Sequence, residues 1–328
     1  MGDIISGLIA NGTAIAVAFK KYAFPAYYFG VGIAEHNLTY LLLYTVCTLV
    51  VFELVYAILS RSFRQITTAK KGTARIKYKE RSMHVSSPAA ALLRKDFRHF
   101  IGNPMYVLNA WMGEILLVVA CVAMLIKKDI LTEFLPILNG EGEIMGLILC
   151  VILCGLSCTN LITAPSISLE GKNLWIAQSI PVPAATVLRA KVKLQMLLCI
   201  PITALSALLM GIVLKLELLT LVLAVLVPAA FNLFTALLGV VVNLHFPKFD
   251  YINETVVIKQ SMSTMICMFG SMAVVLVLAL LYALLLSASV APTLFLAVCL
   301  VLLVIVCVLM WRYLGHGGSA RFAALQAD

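Results

Sequence analysis

The sequence predicts an all-α, polytopic helical membrane protein of about seven transmembrane helices with short interfacial helices on its cytoplasmic side. Two observations carry this. Of the 328 residues, 62% are hydrophobic and only 12% charged, against about 45–50% and about 25% in soluble domains. Mean hydropathy is +1.05, and apolar runs of about 20 residues, enough to cross a hydrocarbon core, recur along the chain. The runs are continuous and Leu-rich, unlike the short alternating segments of a β-barrel. All nine Cys fall within such runs, where cysteine is a small hydrophobe, so no disulfide framework is expected.

The seven expected spans, each taken as one uninterrupted helix, are 38–59, 106–126, 144–163, 194–214, 219–242, 266–286 and 293–311. Residues 1–37 are expected to be an extracytoplasmic segment. Its stretch 4–19 is short and interrupted by Gly and Asn, yet ends at Lys20-Lys21 as the tail of a preceding helix would. Residues 60–105 read as a basic linker. Its Arg61, Arg64, Lys70, Lys71, Arg75, Lys77, Lys79, Arg81, Arg94, Lys95 and Arg98 place it in the cytoplasm, because basic residues near span ends stay inside. Alternation then puts Lys172, Arg189, Lys191, Lys193, Lys248, Lys259 and the tail 312–328 on the same side. Lys127, Lys128 and Lys215 fall opposite, with the acids Asp129, Glu133, Glu141 and Glu143. Topology thus accounts for the net charge of +9 without a nucleic-acid partner.

Motifs for chemistry are sparse. Gly171-Lys172 approaches a phosphate-binding loop, but Ser166 stands where its opening glycine belongs and Asn173 replaces the magnesium-binding Ser/Thr. No catalytic residue and no metal site is expected, since the five His are scattered over loops. Cys150, Cys154 and Cys158 share a helix face, read as a stripe of small residues for helix packing rather than a soft-metal site. Glu53 and Glu114 are the acids within expected spans, costly there unless paired or hydrated, and so candidates for a pore-facing or gating role. The competing reading has each acid snorkelling to the interface or pairing with Arg61 or Arg98.

Two cytoplasmic loops are more informative. Between Pro165 and Pro181, the residues Leu169, Leu174, Trp175, Ile176 and Ile180 recur at roughly helical spacing, as in a short amphipathic helix on the membrane surface or an interfacial connector anchored by Trp175. The loop 243–254 is aromatic with mixed charge, which suits either a docked partner or simple anchoring.

Three segments carry a resemblance: Leu93-Arg94-Lys95-Asp96-Phe97-Arg98 with Asn103-Pro104-Met105-Tyr106-Val107-Leu108-Asn109, then 166–175, then Phe246-Pro247-Lys248-Phe249-Asp250 with Asn253-Glu254. In these the chain resembles the ABC-2-type permease subunits of bacterial ABC exporters, over most of 93–311. The resemblance implies a six-helix permease half at 106–311, preceded by the last span of another half, most of which the chain lacks. It implies a multi-pass bacterial cell-membrane protein that is not an enzyme, holds no cofactor, and moves an unknown substrate using ATP bound by a separate ATP-binding subunit. A second permease half or a second copy would complete it. Glu170, Gly171, Lys172, Asn173, Leu174 and Trp175, with Phe246, Pro247, Lys248, Phe249 and Asp250, are the candidate docking residues for that subunit. An ATP-independent transporter or channel, or a non-transporting scaffold, is the alternative, although no internal repeat supports a secondary transporter. An intramembrane enzyme ranks last.

Overall fold

A computed structural model describes residues 20, 24–68, 86–126, 142–287 and 289–326, and among them the structure is helical throughout. The expected segment 4–19, the linker bases from Lys70 to Arg81, and the loop bearing Lys127, Lys128, Asp129, Glu133 and Glu141 lie outside the described residues. The chain divides into two units, Met1–Met83 and His84–Asp328.

In the first unit, α1 (Phe24–Ala34) and α2 (Leu38–Thr68) form a helical hairpin. Tyr28 stacks on Tyr40 at 5.3 Å and Phe29 meets Tyr44 at 4.8 Å between ring centroids. The apolar side chains of α2 are exposed along the span, Glu53 with them. Exposed apolar surface of this extent on a helix long enough to cross a bilayer is what lipid covers.

The second unit begins with α3 (Pro88–Gly102), capped by Ser87, whose Oγ accepts from Ala90 N. Next come α4 (Pro104–Ala110), α5 (Met112–Ile126) and α6 (Gly142–Ser157), then a 3₁₀ turn at Ser168–Asn173 and α7 (Leu174–Ser179). The remainder is α8 (Ala184–Val213), α9 (Leu218–His245), α10 (Glu254–Gln260), α11 (Met262–Leu281, closed by a π-turn to Leu286), α12 (Pro292–Gly315) and α13 (Gly317–Ala323). Helices α8 and α9 pack along each other and form the centre, flanked by α6 and α12. Leu153, Leu117, Phe231 and Leu296 fill the core between them. Leu188, Leu237, Leu244, Leu314 and Phe322 form a second core where α3, α7 and α13 gather, the basic end of the bundle.

Five helical stretches among the described residues are long and apolar enough to cross a membrane: Leu38–Phe63, Ala184–Val213, Leu218–His245, Glu254–Leu286 and Pro292–Gly315. The expected spans 106–126 and 144–163 appear instead as shorter or interrupted helices, which corrects their reading as single rods. The first breaks at Trp111 (φ −127°, ψ 16°). The second ends at Ser157, and Asn160 then runs antiparallel to Trp111 in an isolated bridge, with Leu161 N donating to Ala110 O at 2.8 Å. Non-helical backbone between apolar helices persists only when protein buries and pairs it. Gly113 makes the approach possible, because a Cβ there would lie 2.2 Å from Leu156 O. Pro201 and Pro228 sit inside continuous helices, as the reading of their spans as single helices requires.

Candidate functional site

Lys191, Gln195, Cys199 and Thr203 follow one another at four-residue spacing on α8 and therefore share one face. That face meets the irregular stretch after α6, the centre of α9 and the start of α5, and every polar group on it is engaged. At the basic end, Lys191 is only 3% exposed and its Nζ lies 2.7 Å from Glu170 Oε1 and 3.6 Å from Asp96 Oδ2. The same ammonium donates to Ser166 O at 3.0 Å. Lys95 Nζ, on α3, reaches both Glu170 oxygens at 2.7 Å. Burial by itself would push the Glu170 carboxyl up, but Lys191 and then Lys95 outweigh it and hold the pKa down to about 2. A cleft of about 290 Å³ opens beside these charges, lined also by His99, Tyr106, Asn173 and Glu254. Glu254 accepts from Asn103 Nδ2 at 2.6 Å and lies 3.5 Å from His99 Nε2.

From this cluster a ladder of hydrogen bonds runs into the bundle. Ser166 Oγ donates to Thr163 O at 2.7 Å, and Thr163 donates through both N and Oγ1 to Gln195 Oε1, at 3.0 and 2.9 Å. Gln195 Nε2 donates to Asn160 O at 3.0 Å and to Thr235 Oγ1 at 3.2 Å. Asn160 Nδ2 then donates to Glu114 Oε1 at 2.9 Å, where Thr203 Oγ1 also points at 2.8 Å. Asn232 closes the group from α9, donating to Thr203 Oγ1 at 2.9 Å and Ser157 Oγ at 3.1 Å. A polar path thus leads from the charged cleft to an acid in the first turn of the apolar helix α5. Glu114, 1% exposed, pairs with an amide and a hydroxyl, and neither reaches the surface nor pairs with Arg98 as the competing reading had it. Glu53, the other intramembrane acid considered, lies exposed on α2 in the first unit.

The two loops singled out in the sequence come together. Asn243, at the end of α9, accepts from Ile167 N (2.8 Å) and Ser168 N (3.1 Å) through Oδ1, and Lys248 N donates to Ser168 Oγ at 2.9 Å. Tyr251 OH donates to Leu169 O at 3.2 Å. The resulting shoulder presents Lys172, Asn173, Trp175 (63% exposed), Ile176, Phe246 and Asp250 outward. Of the other docking candidates, Gly171 and Leu174 are buried, Glu170 is committed to the ion cluster, and Pro247, Lys248 and Phe249 are half-buried. The expected amphipathic helix is shorter than predicted. Gly171, with φ 52° and ψ −136°, kinks the 3₁₀ stretch Ser168–Asn173 ahead of α7. Cys150 and Cys154 line a small apolar cavity of about 60 Å³ with Phe231, Phe295 and Cys299, in keeping with a packing face.

The ladder itself was missed in the sequence, although Lys191, Gln195 and Thr203 on one face of an apolar run were a visible signal. Lys95, Asp96, Asn103 and Glu254 were noticed only as parts of family-like segments. The structure draws these segments to a single cleft.

A family model described as "Putative ATP-binding cassette" matches residues 6–312. The chain belongs to this family. No curated protein and no solved structure matches it. The family stands in an ATP-binding cassette context, and the apolar helices make the chain membrane-associated within it. The match corrects two expectations drawn from the resemblance. The family is described as an ATP-binding cassette and not as an ABC-2 permease, so the reading as an exporter's permease subunit is withdrawn. The reading as a non-enzyme without ATPase function goes with it, because an ATP-binding cassette hydrolyses ATP.

The family implies ATP, but the residues of the charged cleft are not those of a nucleotide site. Gly171-Lys172 lies in a 3₁₀ turn rather than between a strand and a helix. The space a phosphate would need beside Gly171 is filled by Tyr251, whose hydroxyl would stand 2.8 Å from a Cβ at that position. Asp96, Glu170 and Glu254 line the cleft and would oppose a triphosphate. These residues do not fit the nucleotide.

Proposed function

We propose that this chain is a membrane-embedded component of an ATP-binding cassette system in a bacterial cell membrane, with its basic end and C-terminus in the cytoplasm. In this reading an ATP-binding partner, which holds the nucleotide, bears on the shoulder formed by residues 172–176 and 246–250. Movement of the shoulder then reaches the bundle through Glu170 and Lys191. The observation that carries the reading is the continuity just described. Glu170 adjoins the exposed shoulder and is ion-paired to Lys191, which begins the hydrogen-bonded ladder on α8. A buried ion pair of this kind has few alternative arrangements, so a shift of one partner must be answered by the other.

A photo-crosslinking residue placed at Trp175 or Phe246 in native membranes tests the docking. An ATP-binding chain captured at these positions, and not from Leu205 on an exposed apolar part of α8, is the expected result. Capture that is equal at all three positions, or absent from the shoulder, would overturn it.

A further inference from the structure

We propose that Glu114 is an intramembrane proton-binding site, occupied by a proton when the bundle adopts the arrangement seen here. The site is built. Glu114 is 1% exposed, and while Oε1 accepts from Asn160 and Thr203, Oε2 is buried with no hydrogen-bond partner. An ionised carboxylate with one bare oxygen and no countercharge is among the most costly groups a membrane interior can hold. Adding a proton from water to the carboxylate gives the neutral acid and removes that cost, with no co-reactant needed.

Every element packed against Glu114 presents neutral groups: Asn160 and Ser157 from α6 and its extension, Asn232 from α9, Thr203 and Cys199 from α8. Cys199, the titratable group among them, meets both the Glu114 carboxyl and the Trp111 indole. The nearest cation on this face of α8 is Lys191, twelve residues and about 18 Å before Thr203 along the axis, and it is already committed to Glu170 and Asp96. The Asn160 amide nitrogen and the Thr203 hydroxyl donate to the carboxylate and no carbonyl oxygen is turned to it, so the cluster as arranged is a poor metal-cation cage.

A second orphan lies at the same break. Trp111 Nε1 is buried with no oxygen or nitrogen to accept its hydrogen, only the weakly accepting Cys199 sulfur beside it, in the residue that separates α4 from α5. A donor and an acceptor left unmatched beside one non-helical joint mean that the joint has an alternative pairing available. Loss of the proton from Glu114 would favour an arrangement that brings a donor to Oε2. Protonation is thereby linked to the geometry of the Trp111–Asn160 joint, independently of any docking at the basic end.

Infrared spectroscopy of the chain in lipid, in heavy water, tests this without requiring a reagent to reach the site. A protonated-carboxyl C=O band is expected near neutral pH, lost in Glu114→Gln and shifted in Glu114→Asp. Spectra of the wild type and both variants that coincide in this region from about pH 5 to 8 would overturn the proposal. So would a band abolished by sodium at constant pH, which would assign the site to a metal cation.

Discussion

Lys191 Nζ and Glu170 Oε1 lie 2.7 Å apart, one at the foot of a membrane helix and the other on the turn before the exposed Trp175. With the Lys191 side chain 3% exposed and that of Glu170 11%, the pair is nearly dry. Removing Lys191 leaves Glu170 and Asp96 to the half-exposed Lys95 alone, a partial loss of compensation for nearly buried charge that approaches the cost of breaking a buried pair, about 3 kcal/mol. Lys191→Met is therefore expected to lower the unfolding midpoint in detergent sharply. Lys95→Ala should cost no more than about 1 kcal/mol, because the Lys95 side chain is 49% exposed and its ion pairs are screened. Equal losses in the two variants would show that burial does not set the energetics of the cluster.

Acid should dissolve the same cluster. The Glu170 pKa is depressed from 4.5 to about 2, so the unfolded state binds a proton more readily than the folded one. The contribution is fully present above the unfolded value and is lost as pH falls from about 4.5 towards about 2. Thermal unfolding over that range should show the wild type losing stability, with Glu170→Gln flatter because it has no carboxylate to protonate.

Close helix approach makes a sharper prediction at Gly113. Its Cβ would meet Leu156 O at 2.2 Å and Asn160 Oδ1 at 2.7 Å. Gly113→Ala should destabilise by more than about 1 kcal/mol and disturb the Trp111–Asn160 joint. Gly155, with nothing within 4 Å of a Cβ, provides the contrast. Gly155→Ala should be neutral or stabilising by up to about 1 kcal/mol through helix propensity. Paired unfolding curves in one detergent decide it.

Asn243 anchors the shoulder by accepting from the backbone N–H groups of Ile167 and Ser168. Asn243→Ala leaves two buried donors unmatched, each costing about 1–3 kcal/mol. The segment 164–179 should then become cleavable by protease under conditions that leave the wild type intact. Asn243→Asp, which keeps an acceptor there, should protect more of it.

Apolar run length located the five helices that are long and apolar enough to cross a membrane among the described residues, because burying backbone in lipid leaves a chain few options but helix. Boundaries were harder to read. Helix α8 starts at Ala184, ten residues before its apolar run at Leu194, because Lys191 finds carboxylates that hydropathy cannot register. The break at Trp111 was invisible for a related reason: it depends on Asn160, distant in sequence, and on the absence of a Cβ at Gly113. Glu114 could be singled out by its charge alone. Its partners Asn160, Thr203 and Asn232 could not, since a polar residue in an apolar run does not show which helix it faces. The shoulder was visible as two aromatic, mixed-charge loops, but their union through Asn243 and Ser168 is a tertiary fact.

The most direct test of the coupling account is amide hydrogen exchange on the chain in native membranes with its partners present, with and without a non-hydrolysable ATP analogue. The account predicts that nucleotide changes exchange both in the shoulder, 168–179, and at the joint around Trp111 and Asn160. In Glu170→Gln the response at the joint should be lost. A nucleotide response confined to the shoulder, or a joint response unaltered in Glu170→Gln, would contradict it.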